Sequence, residues 1–425
     1  IYKQLNPMEP LQPDDPRLTI EIFSNYINDV AELILLGRES QQKILFSGNI
    51  GCGKSTFLNL LSDHPEIKDK FLVVKYSLQD IVDPSDATHI DILLSLTLQS
   101  FEQIARFADI KIDKKLIGEV RELAKTISGL ITKEKETTKS KTSGLDATTG
   151  ASLPKLIQWI QASINARYRV ERETREAIRE YFRPRMTDFI NIVNDILDRI
   201  HANLDGFSVL ILIDDADKIP PEQAMKIFFE NGQHFSLIHA NILFVVDTSL
   251  SCSPKYTIII NKIGKEEFFP ALKLIEKDAS ISAFCKRNID LLKNLTYKRI
   301  PKSFIDDDAL NLAINLSGGV VREYIRILQE SIFYAKGKIS RQHIESATIN
   351  IRNKYNLYGH HTRLLRKILD NPSWLQETSE DVMQYEELIR VLLWMPALFQ
   401  YRNGEDKWYR PYPVFIEWLK TLNIS

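Results

Sequence analysis

Eight consecutive residues carry the clearest chemical signal in the chain. Residues 48–55 read Gly-Asn-Ile-Gly-Cys-Gly-Lys-Ser and fit the G-x-x-x-x-G-K-S pattern of a phosphate-binding loop at every fixed position. An apolar run of strand length precedes them at 43–47, and a helical pattern follows at 56–61. A glycine-rich loop between a strand and a helix lets backbone amides surround a phosphate. The sequence therefore predicts a nucleotide phosphate site here.

The residues of this loop are expected to have separate tasks. Lys54 is expected to reach the β- and γ-phosphates, and Ser55 to offer its hydroxyl to Mg²⁺. The nucleotide-binding set predicted from the loop is Gly48, Asn49, Ile50, Gly51, Cys52, Gly53, Lys54, Ser55 and Thr56.

Two carboxylates are predicted to complete the site. Asp214 and Asp215 follow the apolar run 209–213, and strand ends of a parallel sheet meet at one edge. Asp214 is expected to hold Mg²⁺, directly or through water. Asp215 is expected to act as the base that polarises the attacking water, a role that Glu often fills. Because Asp is one methylene shorter than Glu, slow hydrolysis is expected.

Two further groups are candidates for sensing the nucleotide. Thr248 or Ser249, after the fourth predicted strand, can orient the attacking water, and Thr248 is the predicted catalytic residue of the two; an ordinary strand-end turn is the alternative. Arg322 follows Gly318-Gly319 on a predicted helix and can reach a γ-phosphate if that helix folds over the site. The alternative for Arg322 is a surface position.

Composition narrows the class of protein. The 425 residues carry 55 basic and 56 acidic side chains, a balance that does not favour a protein coating nucleic acid or membranes. No apolar run is long enough to span a bilayer. The three cysteines lie far apart and form no metal pattern. A cytoplasmic location is expected. The segment 261–264, Asn-Lys-Ile-Gly, lacks the closing Asp of a guanine-specificity motif, which favours ATP over GTP.

Alternating strand and helix patterns predict a three-layer α/β fold with a parallel sheet, followed by helices. Asn403-Gly404 between aromatic-rich segments predicts a terminal hairpin, and hence a winged-helix-like module. The strands are predicted at 43–47, 71–78, 209–213, 241–246 and 268–274. The predicted domains are an extended N-terminal strap (1–19), a core (20–277) with a helical insertion (88–204), a helical lid (278–350) and the winged-helix-like module (351–425).

The insertion contains a segment with an unusual charge pattern. Residues 167–185 hold seven arginines, with four glutamates among them at helical spacing. The spacing favours a solvated helix with its own ion pairs. The alternative is a docking surface for a partner or nucleic acid. A polar linker is predicted at 133–144.

Together, the loop at 48–55, the Asp-Asp-Ala-Asp that follows the apolar run 209–213, and Ser317-Gly318-Gly319 with Arg322 resemble the AAA+/STAND branch of P-loop ATPases. The arrangement is similar to origin-recognition AAA+ proteins and to bacterial anti-phage defence ATPases. The resemblance implies ATP and Mg²⁺ as cofactors and a helical lid. It supplies no confident arginine finger; Arg287 and Arg299 are the candidates.

The expected function is an ATP-hydrolysing switch in prokaryotic anti-phage defence or signalling. Nucleotide state would control lid closure and assembly with a separately encoded protein partner or effector, or with further copies of the chain. An alternative is a DNA-binding loader of the origin-recognition or transposition type, and another is a scaffold that binds nucleotide without turnover. Nucleic acid is not favoured, since the predicted recognition helix at 382–395 carries only Arg390. No membrane partner is expected.

Overall fold

The computed structural model describes residues 2–106, 118, 126, 168, 171–204, 206–376 and 380–422. The predicted linker at 133–144 and much of the predicted insertion lie outside these residues. Within the described ranges, no helix combines the length and the apolar character needed to cross a lipid bilayer.

A five-stranded parallel sheet forms the centre of the core, with strand order β2-β3-β4-β1-β5. The inner strands are apolar on both faces because helices cover both sides of the sheet. The predicted three-layer α/β fold is therefore confirmed. The strands are β1 (Lys43–Gly48), β2 (Phe71–Ser77), β3 (Ser208–Asp214), β4 (Asn241–Asp247) and β5 (Lys265–Phe268).

The bounds predicted for the fifth strand, 268–274, were wrong. The strand pairs with β1 only up to Phe268, and the chain then leaves the sheet at Phe269-Pro270. Its apolar residues pack elsewhere: the Phe269 ring stacks on Phe23, and the Leu272 amide donates to the carbonyl of Gly319, at 3.0 Å. A short apolar run does not distinguish a strand from a segment buried between two layers.

Helices pack on both faces of the sheet and supply the rest of its core. The last of them before the helical region, α10, leads directly into β5. The helices of the core are α1 (Ser24–Leu36), α2 (Lys54–Asp63), α3 (Pro65–Lys70), α4 (His89–Arg106), α5 (Arg172–Phe182), α6 (Met186–Ala202), α7 (Pro221–Met225), α8 (Gln233–Ser236), α9 (Thr248–Ser251) and α10 (Tyr256–Ile263).

The chain continues into four helices where the lid is predicted: α11 (Ala283–Tyr297), α12 (Asp307–Ser317), α13 (Val321–Tyr334) and α14 (Arg341–Asn353). Between α12 and α13, Gly318 and Gly319 have φ values of 61° and 77°. A Cβ on Gly319 would lie 1.7 Å from the carbonyl oxygen of Leu272. Only glycine permits this turn, which brings α13 against the core.

The C-terminal residues form a compact helical unit with an antiparallel hairpin, as the Asn-Gly pair predicts. The concentrated aromatic residues form its own core, with Trp408 and Tyr412 buried. Its elements are α15 (Gly359–Asp370), α16 (Glu380–Gln384), α17 (Glu386–Trp394), β6 (Leu398–Asn403), β7 (Asp406–Pro411) and α18 (Ile416–Thr421). We call the β6–β7 hairpin the wing.

The prediction of a solvated arginine-rich helix was wrong for Arg175 and Arg179, whose side chains are buried. Arg179 on α5 is 2% exposed and forms an ion pair with the buried Asp91 of α4, with Nη2 2.7 Å from Oδ2. Arg175 pairs with Asp86 at 2.7 Å. Both acidic partners lie more than 80 residues away, so local spacing could not reveal them. These pairs attach α5 to the core.

We expect Arg179→Ala to lower the free energy of unfolding by about 3–5 kcal/mol, because it leaves the Asp91 charge buried without its partner. The matched control is Arg183→Ala on the same segment, whose side chain is 60% exposed and pairs only weakly with Glu176. It should change stability by less than about 0.5 kcal/mol. Urea denaturation measures both, and equal effects of the two substitutions would contradict the assignment.

Candidate nucleotide site

The phosphate loop lies between β1 and α2, as predicted, and its shape depends on two glycines. Gly51 and Gly53 have φ values of 88° and 113°, a region that side chains disfavour. Helix α2 begins at Lys54, immediately after the second glycine. The loop therefore has the conformation and the helix N-terminus that a phosphate site requires.

Lys54 is buried and bonded to its own loop. Its Nζ donates to the carbonyls of Gly48 and Asn49, at 2.7 and 3.0 Å, and forms an ion pair with Asp217 at 2.9 Å. Burial is the largest single effect and lowers the pKa of Lys54, but the Asp217 carboxylate, together with smaller contributions from Cys52 and Asp247, outweighs it, so that the pKa is raised. Sequence reasoning assigned no role to Asp217, although the third carboxylate of Asp-Asp-Ala-Asp was a signal for one.

Ser55 and Asp214 lie side by side, with the Ser55 hydroxyl donating to Oδ1 of Asp214 at 3.1 Å. Burial, together with the charges of Asp215 and Asp217, raises the pKa of Asp214 to about 6. A serine hydroxyl beside a carboxylate suits Mg²⁺, which prefers oxygen ligands. No group of three His, Cys, Asp or Glu side chains in the described ranges could hold a metal ion alone. Magnesium at this site would therefore need phosphate oxygens of the nucleotide.

Asp215 lies at the same edge of the sheet and lines the cavity above the loop. Its backbone is left-handed, with φ 65°. Its carboxylate accepts a hydrogen bond from Ser77 and forms an ion pair with Lys218 at 2.7 Å. The side chain is thus held from two sides. Its predicted role as the base that polarises water stays a prediction.

At the end of β4, the buried polar group nearest to the loop lysine is Asp247. Its carboxylate accepts from the Ser249 amide at 2.9 Å, and burial raises its pKa to about 6, against the opposing effect of Lys54. Thr248 is fully buried and its hydroxyl lies 3.4 Å from Asp247. Thr248 does not line the cavity above the loop. Its predicted water-orienting role stays a prediction, and Asp247 does not line the cavity either.

An open cavity of about 230 Å³ lies over the loop and is walled by the N-terminal strap and by α11 and α13. The strap is attached to α2: the Leu11 amide donates to Thr56 Oγ1 at 3.1 Å, and Asn59 donates to the Leu11 carbonyl at 2.7 Å. The Arg322 amide donates to the Gly51 carbonyl at 2.9 Å, and its side chain lines the cavity. The α13 end of the predicted lid therefore rests directly on the loop.

The wing also contacts the phosphate loop. Asn49, 2% exposed, donates from Nδ2 to the carbonyl of Gln400 at 2.8 Å and accepts from the Gln400 amide at 3.0 Å. The neighbouring Tyr401 hydroxyl donates to the carbonyl of Gly318 at 2.6 Å, and Arg402 bonds Glu266 of β5 at 2.9 Å. No local sequence signal predicts these contacts. They engage the Asn49 side chain and leave the backbone of the loop for phosphate.

We expect Asp214→Asn to stabilise the nucleotide-free protein. The folded state binds the Asp214 proton more tightly than the unfolded state, whose pKa is near 3.8, so ionised Asp214 costs stability fully above pH 6 and progressively less towards pH 4. The gain should be about 2–3 kcal/mol at pH 7.5 and about half of that at pH 5. Urea denaturation at pH 5, 6 and 7.5 measures it, and a gain independent of pH would refute the assigned pKa.

One of three comparisons with known proteins, a family model, supports this site. The sequence has no match among curated proteins. Among solved structures, Cdc6p from Pyrobaculum aerophilum aligns with 99% of this chain and 98% of its own, at 12% identity and a TM-score of 0.39. A family model described as the KAP family P-loop domain matches residues 23–251, which include the loop and the aspartates. The predicted P-loop NTPase class is thus confirmed, and the chain belongs to the KAP family of P-loop NTPases.

Proposed function

We propose that this chain is a molecular switch that binds ATP with Mg²⁺, hydrolyses it slowly, and transmits its nucleotide state to the lid and the wing. One observation carries the proposal: Arg322 bonds the loop through its backbone at Gly51, while its side chain lines the cavity that the loop shares with the strap. Loop and lid thus form one binding site.

Binding requires Lys54 to exchange partners. In the structure, the charge of Lys54 is matched by Asp217 and its donors by two loop carbonyls. The β- and γ-phosphates would replace these groups with more negative charge, in a site where burial strengthens charge–charge attraction. Magnesium would neutralise part of the charge that the phosphates bring next to Asp214.

Hydrolysis would depend on Asp215. The ion pair with Lys218 fixes its position but also satisfies part of its charge. Lys218 therefore competes with the attacking water for the Asp215 carboxylate. This competition, and a side chain shorter than that of Glu, support slow turnover. Of the two arginine-finger candidates, Arg299 lines the cavity of its own chain and Arg287 does not. An arginine supplied by another copy, and hence a homo-oligomer, remains part of the proposal.

Arg322 would read the nucleotide state. Its guanidinium can form a charge-assisted hydrogen bond to a γ-phosphate but has no such partner with ADP. The start of α13 lies three residues after Gly318, where Tyr401 of the wing is bonded. Movement of α13 would therefore reach the wing and alter the surface offered to a partner, effector or further copy. The setting, prokaryotic anti-phage defence or signalling, is proposed from the resemblance of the motifs.

The alternative, a DNA loader, receives less support from the wing unit. Helix α17, within the predicted recognition helix, faces the core: Glu386 accepts a hydrogen bond from Ser253 at 2.7 Å. Its single arginine, Arg390, has Nε and Nη1 buried without hydrogen-bond partners among the described residues. In this position the helix cannot enter a DNA groove. Salt-dependent duplex binding that requires ATP would instead favour the loader.

We expect Arg322→Ala to bind ADP with nearly normal affinity and to lose the ATP-specific compaction or assembly of the parent protein. The lost bond should be worth about 1.5–3 kcal/mol, or roughly 10- to 100-fold in the balance between closed and open forms. Small-angle scattering and light scattering with ADP and with a slowly hydrolysed ATP analogue measure this response. A mutant that responds as fully as the parent would show that Arg322 is not the sensor.

Two further variants serve as controls. Lys54→Ala should bind neither nucleotide by calorimetry, because the phosphates lose their principal cation. Asp215→Asn should bind ATP, hydrolyse it far more slowly and give the full response with ATP itself. Unchanged affinity in folded Lys54→Ala would refute the site, and an unchanged rate in Asp215→Asn would place the base elsewhere.

A further inference from the structure

Arg299, one residue beyond the α11 cap, is a largely buried cation that forms no ion pair within the described part of the chain. Its side chain lies in the cavity wall, and the residue is only 7% exposed. Nη1 donates to the carbonyls of Arg17 and Leu295, at 2.8 and 2.9 Å. Among the described residues, Nε and Nη2 have no hydrogen-bond partner, and no carboxylate forms an ion pair with the guanidinium.

The nearest carboxylates are occupied by another arginine. Asp15 and Glu9 both form ion pairs with Arg17, at 2.6 and 2.9 Å. Arg17 in turn lowers the pKa of Arg299, to about 10 together with the larger effect of burial, so Arg299 is still charged at neutral pH. Nε and Nη2 are not among the buried polar atoms that lack a hydrogen bond, so the free edge of the guanidinium faces the open cavity and is available to a bound group.

The position of Arg299 in the cavity indicates which part of a bound nucleotide it would contact. The charged groups around it are Arg17 and Asp15 of the strap, whereas Arg322 faces the phosphate loop near Cys52. Once the loop fixes the phosphates, the base must extend towards the strap and α11. The cavity wall includes apolar side chains against which a purine ring can pack, beside polar residues of the strap: Leu18, Ile22, Phe23, Leu295, Val321 and Ile325.

We propose that Arg299 binds the purine base of the nucleotide by donating from Nε and Nη2 to an acceptor nitrogen, N1 or N7, on an outer edge of the ring. A guanidinium only donates, so it selects a base edge that presents acceptors. The fork of Nε and Nη2 can also meet O6 and N7 of guanine. The shared chemistry is therefore a purine acceptor edge. This inference rests on the proposed nucleotide-binding function.

The test compares Arg299→Met with Lys298→Met. Lys298 also binds the strap, through the Leu18 carbonyl, but does not line the cavity. Calorimetry with ATP, GTP, inorganic tripolyphosphate, 7-deaza-ATP and 1-deaza-ATP gives the affinities. We expect Arg299→Met to weaken ATP binding about 10- to 100-fold, with tripolyphosphate binding unchanged and Lys298→Met close to the parent. A stronger effect on GTP than on ATP would identify guanine as the preferred purine.

The deaza analogues locate the contact by a double-mutant cycle. One of them should bind the parent protein more weakly than ATP does, and Arg299→Met should weaken that analogue no further. Equal losses in Arg299→Met and Lys298→Met would overturn the inference and make Arg299 a clamp for the strap. An equal loss for tripolyphosphate would also overturn it. If the parent binds no nucleotide in a Lys54-dependent way, the proposed function itself fails.

Discussion

The phosphate loop and the residue just beyond it are contacted by the wing, the lid and the strap, and these contacts tie the three parts to the nucleotide site. The Asn49 side chain pairs with the backbone of Gln400 in the wing, and the Gly51 carbonyl accepts from the Arg322 amide at the start of α13. Thr56, just beyond the loop, accepts from Leu11 of the strap. Under the proposed function, a group that binds the loop would act on wing, lid and strap together through thermodynamic linkage.

The contact between wing and core is incompletely satisfied. Gln400 Nε2 and Arg402 Nε are buried without a hydrogen-bond partner among the described residues. Each such group costs about 1–3 kcal/mol. The good contacts, Asn49 with Gln400 and Arg402 with Glu266, offset this cost. A balance of this kind suits an interface whose stability a bound nucleotide can change by a few kcal/mol.

Local patterns predicted the parts of the structure that depend on local chemistry. The loop, the first four strands and the terminal hairpin follow from glycine spacing, apolar runs and Asn403-Gly404, because neighbouring residues alone determine them. The pairs Arg179–Asp91 and Asn49–Gln400 could not be predicted, since their members lie 88 and 351 residues apart. Asp217 was visible in the motif, but only the folded geometry shows that it holds Lys54.

The most direct test of the coupling between the phosphate loop and the wing is hydrogen–deuterium exchange of the Gln400 amide, which donates a hydrogen bond to the Asn49 side chain. With Mg²⁺ and a slowly hydrolysed ATP analogue, we predict exchange about tenfold slower, because ordering the loop and lid stabilises both surfaces on which the wing rests. The Tyr409 amide, bonded within the C-terminal unit to Pro372, should not change, and Lys54→Ala should abolish the effect at Gln400. Unchanged or faster exchange at Gln400 in the nucleotide-bound parent protein would contradict the coupling of loop and wing.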